Sequence, residues 1–282
     1  MARAKDAYVP ELIHPSSVDE AAAELARLGE DGEAIAGATW IMLGPLYKRP
    51  TKMNFVAVGD LSELKGVSID GASATIGASV THTQLAEAID SAGPLAVLAE
   101  AAVGTPRGIG NVATLAGNVC VGPYPAADLV PALLVLDGQI ELRTRDAASS
   151  RPLAEGPPAA GSLITGVRVS APSTQSRSAY ERSTVRASGE EAGASVALCV
   201  ELDGNKVAEA RVAFGALEER SRRCAEAEAA LTDAALGEDA AVAAAEAAAA
   251  VLDIVGGPDA PASYKSRVLP GLMKRALARI GG

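Results

Sequence analysis

Near the N-terminus the apolar positions come in short runs separated by one helical stretch. Tyr8–Ile13 is apolar enough for an edge strand, and His14-Pro15-Ser16-Ser17 stops it. Ser17-x-x-Glu20 is a capping-box pattern. Leu25 and Leu28, with Ala21, Ala22 and Ala26, give the helix that follows its apolar face, up to the breakers Gly29 and Gly32. A strand over Glu33–Ala36, a turn at Gly37-Ala38-Thr39, a helical run Trp40–Tyr47 interrupted by Pro45 and a strand over Phe55–Val58 follow. This βαβ-like unit reaches to about residue 57.

The middle of the chain changes pattern. Gly66–Ile69 and Ala74–Ala78 read as strands around Asp70-Gly71, and either Thr81 or Thr83 caps a helix over Gln84–Ile89. Leu95–Val103 reads as a further helix, Gly104–Gly110 as a long Gly/Pro loop, and Val112–Val121 as a stretch rich in small residues. Leu129–Leu136 is apolar throughout, a buried helix with Pro131 tolerated in its first turn and Gly138 beyond its end. Gln139–Arg143 alternates as a strand, and the Ser/Pro/Gly/Ala-rich Ala147–Gly161 reads as a loop or linker. From about Ser176, strands at Ser195–Leu202 and Lys206–Ala216 flank the hairpin turn Asp203-Gly204-Asn205. Alanine-rich helices are expected at Arg222–Leu231 and Asp239–Val251, and a last helix at Tyr264–Ile280.

Composition narrows what this pattern can do. The 282 residues are 49% hydrophobic and 21% charged, enough for a sizeable core. Asp+Glu 35 against Lys+Arg 25 gives a net charge of -10, which disfavours nucleic acid and anionic membranes as main partners. The 3% aromatic share removes base-stacking platforms as well. Ala240–Val255 carries Glu246 and Asp253 and does not read as a membrane span, and no export leader opens the chain. A soluble, cytoplasmic protein is expected, in keeping with three isolated cysteines, Cys120, Cys199 and Cys224. Those cysteines include no C-x-x-C, so the chain alone cannot hold an iron–sulfur cluster. His14 and His82 are too few for a dedicated zinc or iron site. Any redox chemistry would therefore need an organic cofactor.

Two small-residue segments are candidates to hold one. Ala36-Gly37-Ala38-Thr39-Trp40 joins a strand to a helix, where amides and the helix dipole favour an anion, though such turns are often only turns. Thr114-Leu115-Ala116-Gly117-Asn118 sets Thr and Asn side chains around a permissive backbone, or is simply a tight bend. Asp128 follows ten residues on; it is either a cofactor ligand or the N-cap of the helix at Leu129.

In order along the chain these residues resemble the FAD-binding medium subunits of molybdenum hydroxylases, the relatives of xanthine dehydrogenase and carbon monoxide dehydrogenase. Ala36-Gly37-Ala38-Thr39 is similar to the family's first pyrophosphate loop, and Ile76-Gly77-Ala78-Ser79-Val80-Thr81-His82 to its I-G-A-x-x-T-H. Thr114-Leu115-Ala116-Gly117-Asn118 resembles T-I-G-G-N, and Pro125-Ala126-Ala127-Asp128-Leu129 resembles P-A-A-D-L. Tyr180-Glu181-Arg182…Arg186, Phe214-Gly215-Ala216 and Ala225-Glu226…Leu231 match the third domain in order.

The resemblance implies an α+β chain. Its FAD-binding PCMH/vanillyl-alcohol-oxidase-like fold has two subdomains, 1–57 and 58–172, and a C-terminal α+β domain of antiparallel sheet with helices follows at 176–282. It implies FAD held by Ala36, Gly37, Ala38, Thr39 and Trp40 from one side and by Thr114, Leu115, Ala116, Gly117 and Asn118 from the other. Asp128 would meet the ADP part, and Leu163 and Arg182 would flank the flavin ring, with no catalytic residue and no metal on this chain. Gly117 is where the backbone would approach phosphate. Arg182 replaces a usual lysine and could equally pair with Glu181. Ala38 and Ala116 replace glycines, at about 1 kcal/mol each if φ is positive, and Trp40 replaces a small or acidic residue. Cys120 reads as a small buried hydrophobe or a neighbour of the flavin, and His82 as structural. Arg220, Arg222 and Arg223 read as a solvated helix start. Expected partners are a large molybdopterin subunit and a small [2Fe–2S] subunit, assembled as a dimer of heterotrimers, with NAD or another acceptor taking the electrons. A flavin-free scaffold paralogue and a stand-alone FAD oxidoreductase are the alternatives.

Overall fold

The computed structural model describes residues 10–45, 50, 52–121, 127–184, 192–257 and 260–281. Three sheets organise them. The first comes from β1 (Glu11–Ile13), α1 (Val18–Leu28), β2 (Gly32–Ile35), α2 (Thr39–Met42) and β3 (Asn54–Ala57). Its strand order is β1-β3-β2 and both pairings are parallel, as a βαβ unit requires. Ser17 caps α1 through a 3.1 Å bond from the Glu20 amide. The Glu20 carboxylate returns to the Ser16 amide at 2.7 Å rather than to Ser17, so the capping box is displaced by one residue. Gly29, at φ 55, ends the helix.

The second sheet is antiparallel, with strand order β4-β5-β8-β6-β7. It is built from β4 (Val67–Asp70), β5 (Ser73–Gly77), β6 (Gln139–Arg143), β7 (Ala148–Pro152) and β8 (Leu163–Ser170). Between β5 and β6 run α3 (His82–Ala88), α4 (Ala96–Val103), α5 (Arg107–Gly110), α6 (Leu115–Cys120) and α7 (Leu129–Val135). Thr81, not Thr83, caps α3, in a full capping box with Gln84. Two segments differ from what their residues suggest. Gly104–Gly110 contains the helical turn α5, and the supposed linker Ala147–Gly161 supplies the edge strand β7. Strand β7 is mostly exposed, so its Ser and Arg residues carry no apolar alternation to read.

The third sheet, also antiparallel, has order β12-β11-β10-β9. Its strands are β9 (Arg177–Thr184), β10 (Ala192–Asp203), β11 (Lys206–Gly215) and β12 (Arg222–Arg223). Helices α8 (Ala225–Leu231), α9 (Glu238–Val251) and α10 (Ala262–Gly281) complete this part. Arg222 and Arg223 are therefore strand residues rather than a helix start, and they pair with Glu218 and Glu228. Both faces of this sheet are buried. Val196, Leu198 and Val200 face the three helices, while Ala197, Cys199 and Tyr180 join the core of the preceding residues. A strand covered on both sides reads as a continuous apolar run, which is how β10 reads.

Edge strand β9 is covered as well, by α4. Ser178 Oγ donates to the Pro94 carbonyl at 2.9 Å and accepts from the Val97 amide at 3.0 Å, and Glu100 accepts from the Tyr180 amide at 2.6 Å. Arg279 of α10 ties Glu100 to Glu181, so α10, β9 and α4 are held at one seam. Among the described residues no helix is long and apolar enough to cross a membrane.

Candidate functional site

The first small-residue loop leaves β2 at Ile35, whose carbonyl is taken by the Val58 amide at 2.8 Å. Gly37 then lies against the backbone of Val112: a Cβ there would stand 1.8 Å from the Val112 carbonyl oxygen. Only glycine permits that approach. Ala38 adopts the left-handed region, φ 57 and ψ −3, immediately before α2. The replacement of a glycine thus carries the strain the sequence suggests, yet the turn is made. Among the described residues, the amides of Gly37, Ala38 and Thr39 meet no acceptor within the chain. Residues 36–40 are all half-buried.

The second segment differs from the expectation. Thr114–Asn118 is not an irregular loop but the N-cap and first turn of α6. Each of its early amides is already engaged: Leu115 with the Val80 carbonyl (2.9 Å), Ala116 with Ala78 (3.0 Å), Gly117 with Thr114 Oγ1 (3.2 Å) and Asn118 with the Thr114 carbonyl (2.9 Å). Ala116 is helical and not among the positive-φ residues, so no strain attaches to it. Gly117 is exposed, and a Cβ there would meet only Thr114 Oγ1 at 3.0 Å, so this side of the turn is open. The I-G-A-x-x-T-H segment is what pins α6, through these amides and a 3.0 Å bond from the His82 amide to the Ala113 carbonyl.

Asp128 does not cap α7 with its side chain. That capping falls to Asn118, whose Oδ1 accepts from the Leu129 amide at 3.2 Å. The Asp128 carboxylate, 3% exposed, instead accepts from the Tyr180 hydroxyl at 2.6 Å and pairs with Arg182 Nη1 at 3.0 Å. Burial pushes its pKa up, against the opposing pull of the Arg182 charge and the Tyr180 hydrogen bond. Arg182 also donates to the Gly104 carbonyl. Its alternative pairing with Glu181 is not made: Glu181 points to the other face of β9 and meets Arg275 and Arg279. Leu163 opens β8, is buried in the large core, and has no hydrogen bond or ion pair to either loop.

Sequence reasoning missed the roles of Tyr180 and Val112. Tyr180 and Arg182 share a face of β9 because side chains alternate along a strand, a signal open only once 177–184 is read as a strand. Cys120 ends α6 as an exposed residue, while burial around its thiol pushes the pKa up to about 11. His82 is 1% exposed, its Nδ1 2.9 Å from Thr105 Oγ1, and desolvation lowers its pKa to about 4. It is a packed, neutral histidine. Tyr8, Pro125, Ala126 and Arg186 lie outside the described residues. No group of three or more His, Cys, Asp or Glu able to hold a metal occurs among the described residues.

The chain thus combines a parallel three-stranded unit, an antiparallel sheet whose helices bring Val112 and Ala113, just before the second small-residue turn, against Gly37, and a further antiparallel sheet with three helices. Comparison with known proteins gives the family. The chain belongs to the FAD binding domain family of molybdopterin dehydrogenases, matched over residues 7–169, and residues 178–280 match the CO dehydrogenase flavoprotein C-terminal domain. It is similar to the carbon monoxide dehydrogenase medium chain of Hydrogenophaga pseudoflava, 28% identical over 275 residues covering 93% of this chain and 94% of that one. The corresponding chain of Afipia carboxidovorans is 27% identical over 277 residues, 94% of each. A solved structure of the Hydrogenophaga pseudoflava carbon monoxide dehydrogenase superposes with a TM-score of 0.89 at 26% identity, over 97% of both chains. The chain is thus an FAD-binding oxidoreductase subunit of this family.

Proposed function

We propose that this chain is the electron-transfer subunit of a molybdenum hydroxylase complex, holding FAD between the parts that carry its two small-residue segments. The supporting observation is the turn at Gly37, Ala38 and Thr39. Among the described residues its three amides meet no acceptor within the chain, and Gly37 packs directly against Val112 and Ala113, just before the second segment. Donors of that kind fit a pyrophosphate, which accepts several hydrogen bonds at once.

In this reading Gly37, Ala38 and Thr39 supply the amide donors, while Ala36 and Trp40 flank them. Thr114 and the open side of Gly117 face the pyrophosphate from the other side. Leu115, Ala116 and Asn118, whose amides are already engaged, form the supporting turn. Asp128 meets the ADP part with whatever acceptor capacity its two partners leave, and Leu163 and Arg182 lie toward the flavin ring. The first two units then correspond to residues 1–57 and 58–172, with the third at 176–282. Bound FAD supplies a carrier that exchanges electrons both singly and in pairs.

The relatives are medium chains, so this chain is proposed to work beside a large molybdopterin subunit and a small [2Fe–2S] subunit, as a dimer of heterotrimers in the cytoplasm. NAD or another acceptor would take the electrons. The test is purification of the native complex with metal analysis. Co-purification of both partners with molybdenum and iron supports the reading, and a chain purifying alone without them contradicts it. The flavin-free alternative rests on Ala38 and Trp40. A colourless preparation that takes up no added FAD would favour it.

A further inference from the structure

The Asp128 cluster lies outside the proposed pyrophosphate site yet is connected to it. Its members come from two parts of the chain: Asp128 at the start of α7, and Tyr180 and Arg182 on β9 of the C-terminal domain. Tyr180 is 3% exposed, and its hydroxyl has a second partner in the Ser195 side chain on β10. From Asp128 the path runs through one peptide bond to the Leu129 amide. That amide donates to Asn118 Oδ1, and Asn118 closes the first turn of α6, the second of the two proposed FAD segments.

We propose that Tyr180 is a positioning residue for the FAD site. Its hydroxyl fixes Asp128, and through Leu129 and Asn118 it fixes the placement of the Thr114–Asn118 turn. The C-terminal domain thereby sets a cofactor site to which it contributes this buried hydroxyl. Chemistry favours tyrosine here. A carboxylate buried with a single arginine keeps lone pairs unsatisfied, and a hydroxyl held from the opposite sheet occupies one of them in a defined direction. The neighbouring contacts support the same reading, since β9 is anchored to α4 and the residues before it at Ser178 and at the Tyr180 amide itself, which Glu100 accepts. Tyr180 therefore has little freedom to follow Asp128, and Asp128 must follow Tyr180.

This inference rests on the FAD reading above, and the experiment separates the two. FAD is titrated into the full chain by flavin fluorescence for the parent, Tyr180→Phe, Asp128→Asn and the double variant, with the thermal midpoint of each flavin-free protein recorded alongside. Tyr180→Phe keeps the ring and its packing. It is expected to raise the Kd for FAD by about three- to tenfold, part of what loss of a hydrogen bond to a charged group brings. The double variant is expected to bind no more weakly than the weaker single one, since Tyr180 acts through Asp128. Ser195→Ala withdraws the other partner of the Tyr180 hydroxyl; it is expected to weaken binding less and carries the same cycle if Tyr180→Phe fails to fold. A lowered midpoint with an unchanged Kd, or losses that simply add in the double variant, would overturn the positioning role. A parent chain that binds no FAD would instead remove the underlying reading.

Discussion

Gly37→Ala probes the closest contact in the site. The added Cβ would stand 1.8 Å from the Val112 carbonyl oxygen and 2.6 Å from its carbon, where ordinary contact begins at 3.4 Å. The backbone must therefore open by 3.4 − 1.8 = 1.6 Å along that line. Val112 cannot yield cheaply. Its amide donates to the Ile109 carbonyl at 3.0 Å, the Ala113 amide donates to the same carbonyl at 2.7 Å, and the Ala113 carbonyl accepts from His82 at 3.0 Å. Losing two or three such bonds, at about 1 kcal/mol each, gives roughly 2–3 kcal/mol of destabilisation. That corresponds to a Tm lower by about 5–10 °C for a chain of this size. Because the same opening separates the two proposed FAD segments, FAD affinity is expected to fall by at least about tenfold. Gly117→Ala is the control: its Cβ meets one hydroxyl at 3.0 Å, and alanine is the better helix former by about 1 kcal/mol. Its Tm should stay within about 3 °C of the parent. Differential scanning fluorimetry and FAD titration read both variants. A Gly37→Ala protein with parental Tm and FAD affinity would refute the close apposition of the two segments.

Ala38→Gly should stabilise the chain by about 0.5–1 kcal/mol, because Ala38 sits at φ 57 and glycine removes that strain; urea unfolding reads the change, and a less stable variant would contradict it. Burial holds His82 neutral down to about 4, whereas an unfolded histidine titrates near roughly 6.5. The unfolded state therefore takes up the proton first. His82 contributes fully above about pH 6.5, and its contribution is lost as the pH falls toward 4, by up to about 3 kcal/mol. His82→Gln should flatten that part of the stability curve, and equal acid slopes in parent and variant would count against it. The isolated chain should hold no stoichiometric iron, and a bound cluster found by metal analysis would overturn the cysteine argument.

Much of the fold was legible because local chemistry and tertiary environment agree. Ser17, Thr81, Gly29 and Gly204 mark their elements by mechanisms that act within a few residues. Strand β7 was not legible, because an exposed edge strand of Ala, Ser, Arg and Pro has no apolar alternation. Strand β9 was missed for a related reason: its faces are occupied by Tyr180, Glu181 and Arg182, whose polar ends are satisfied only by distant partners. The site divides the same way. Gly37 and Ala38 behave as their small side chains suggest, one by close approach and one by positive φ. The state of the second segment was not readable, because the carbonyls of Val80 and Ala78 that engage its amides come from a segment more than thirty residues earlier. Asp128 shows the limit most sharply. Residues before a helix are natural caps, and only the return of β9 reveals that the carboxylate turns away from α7.

The most direct test compares FAD with FMN on the purified full chain. Both carry the same ring, but only FAD carries the pyrophosphate for which the amides of Gly37, Ala38 and Thr39 are proposed as donors. One equivalent of FAD is expected to bind, with FMN weaker by at least about a hundredfold, the equivalent of roughly 3 kcal/mol of lost phosphate and ADP contacts. Equal binding of the two flavins, or binding of neither, would contradict the proposed site.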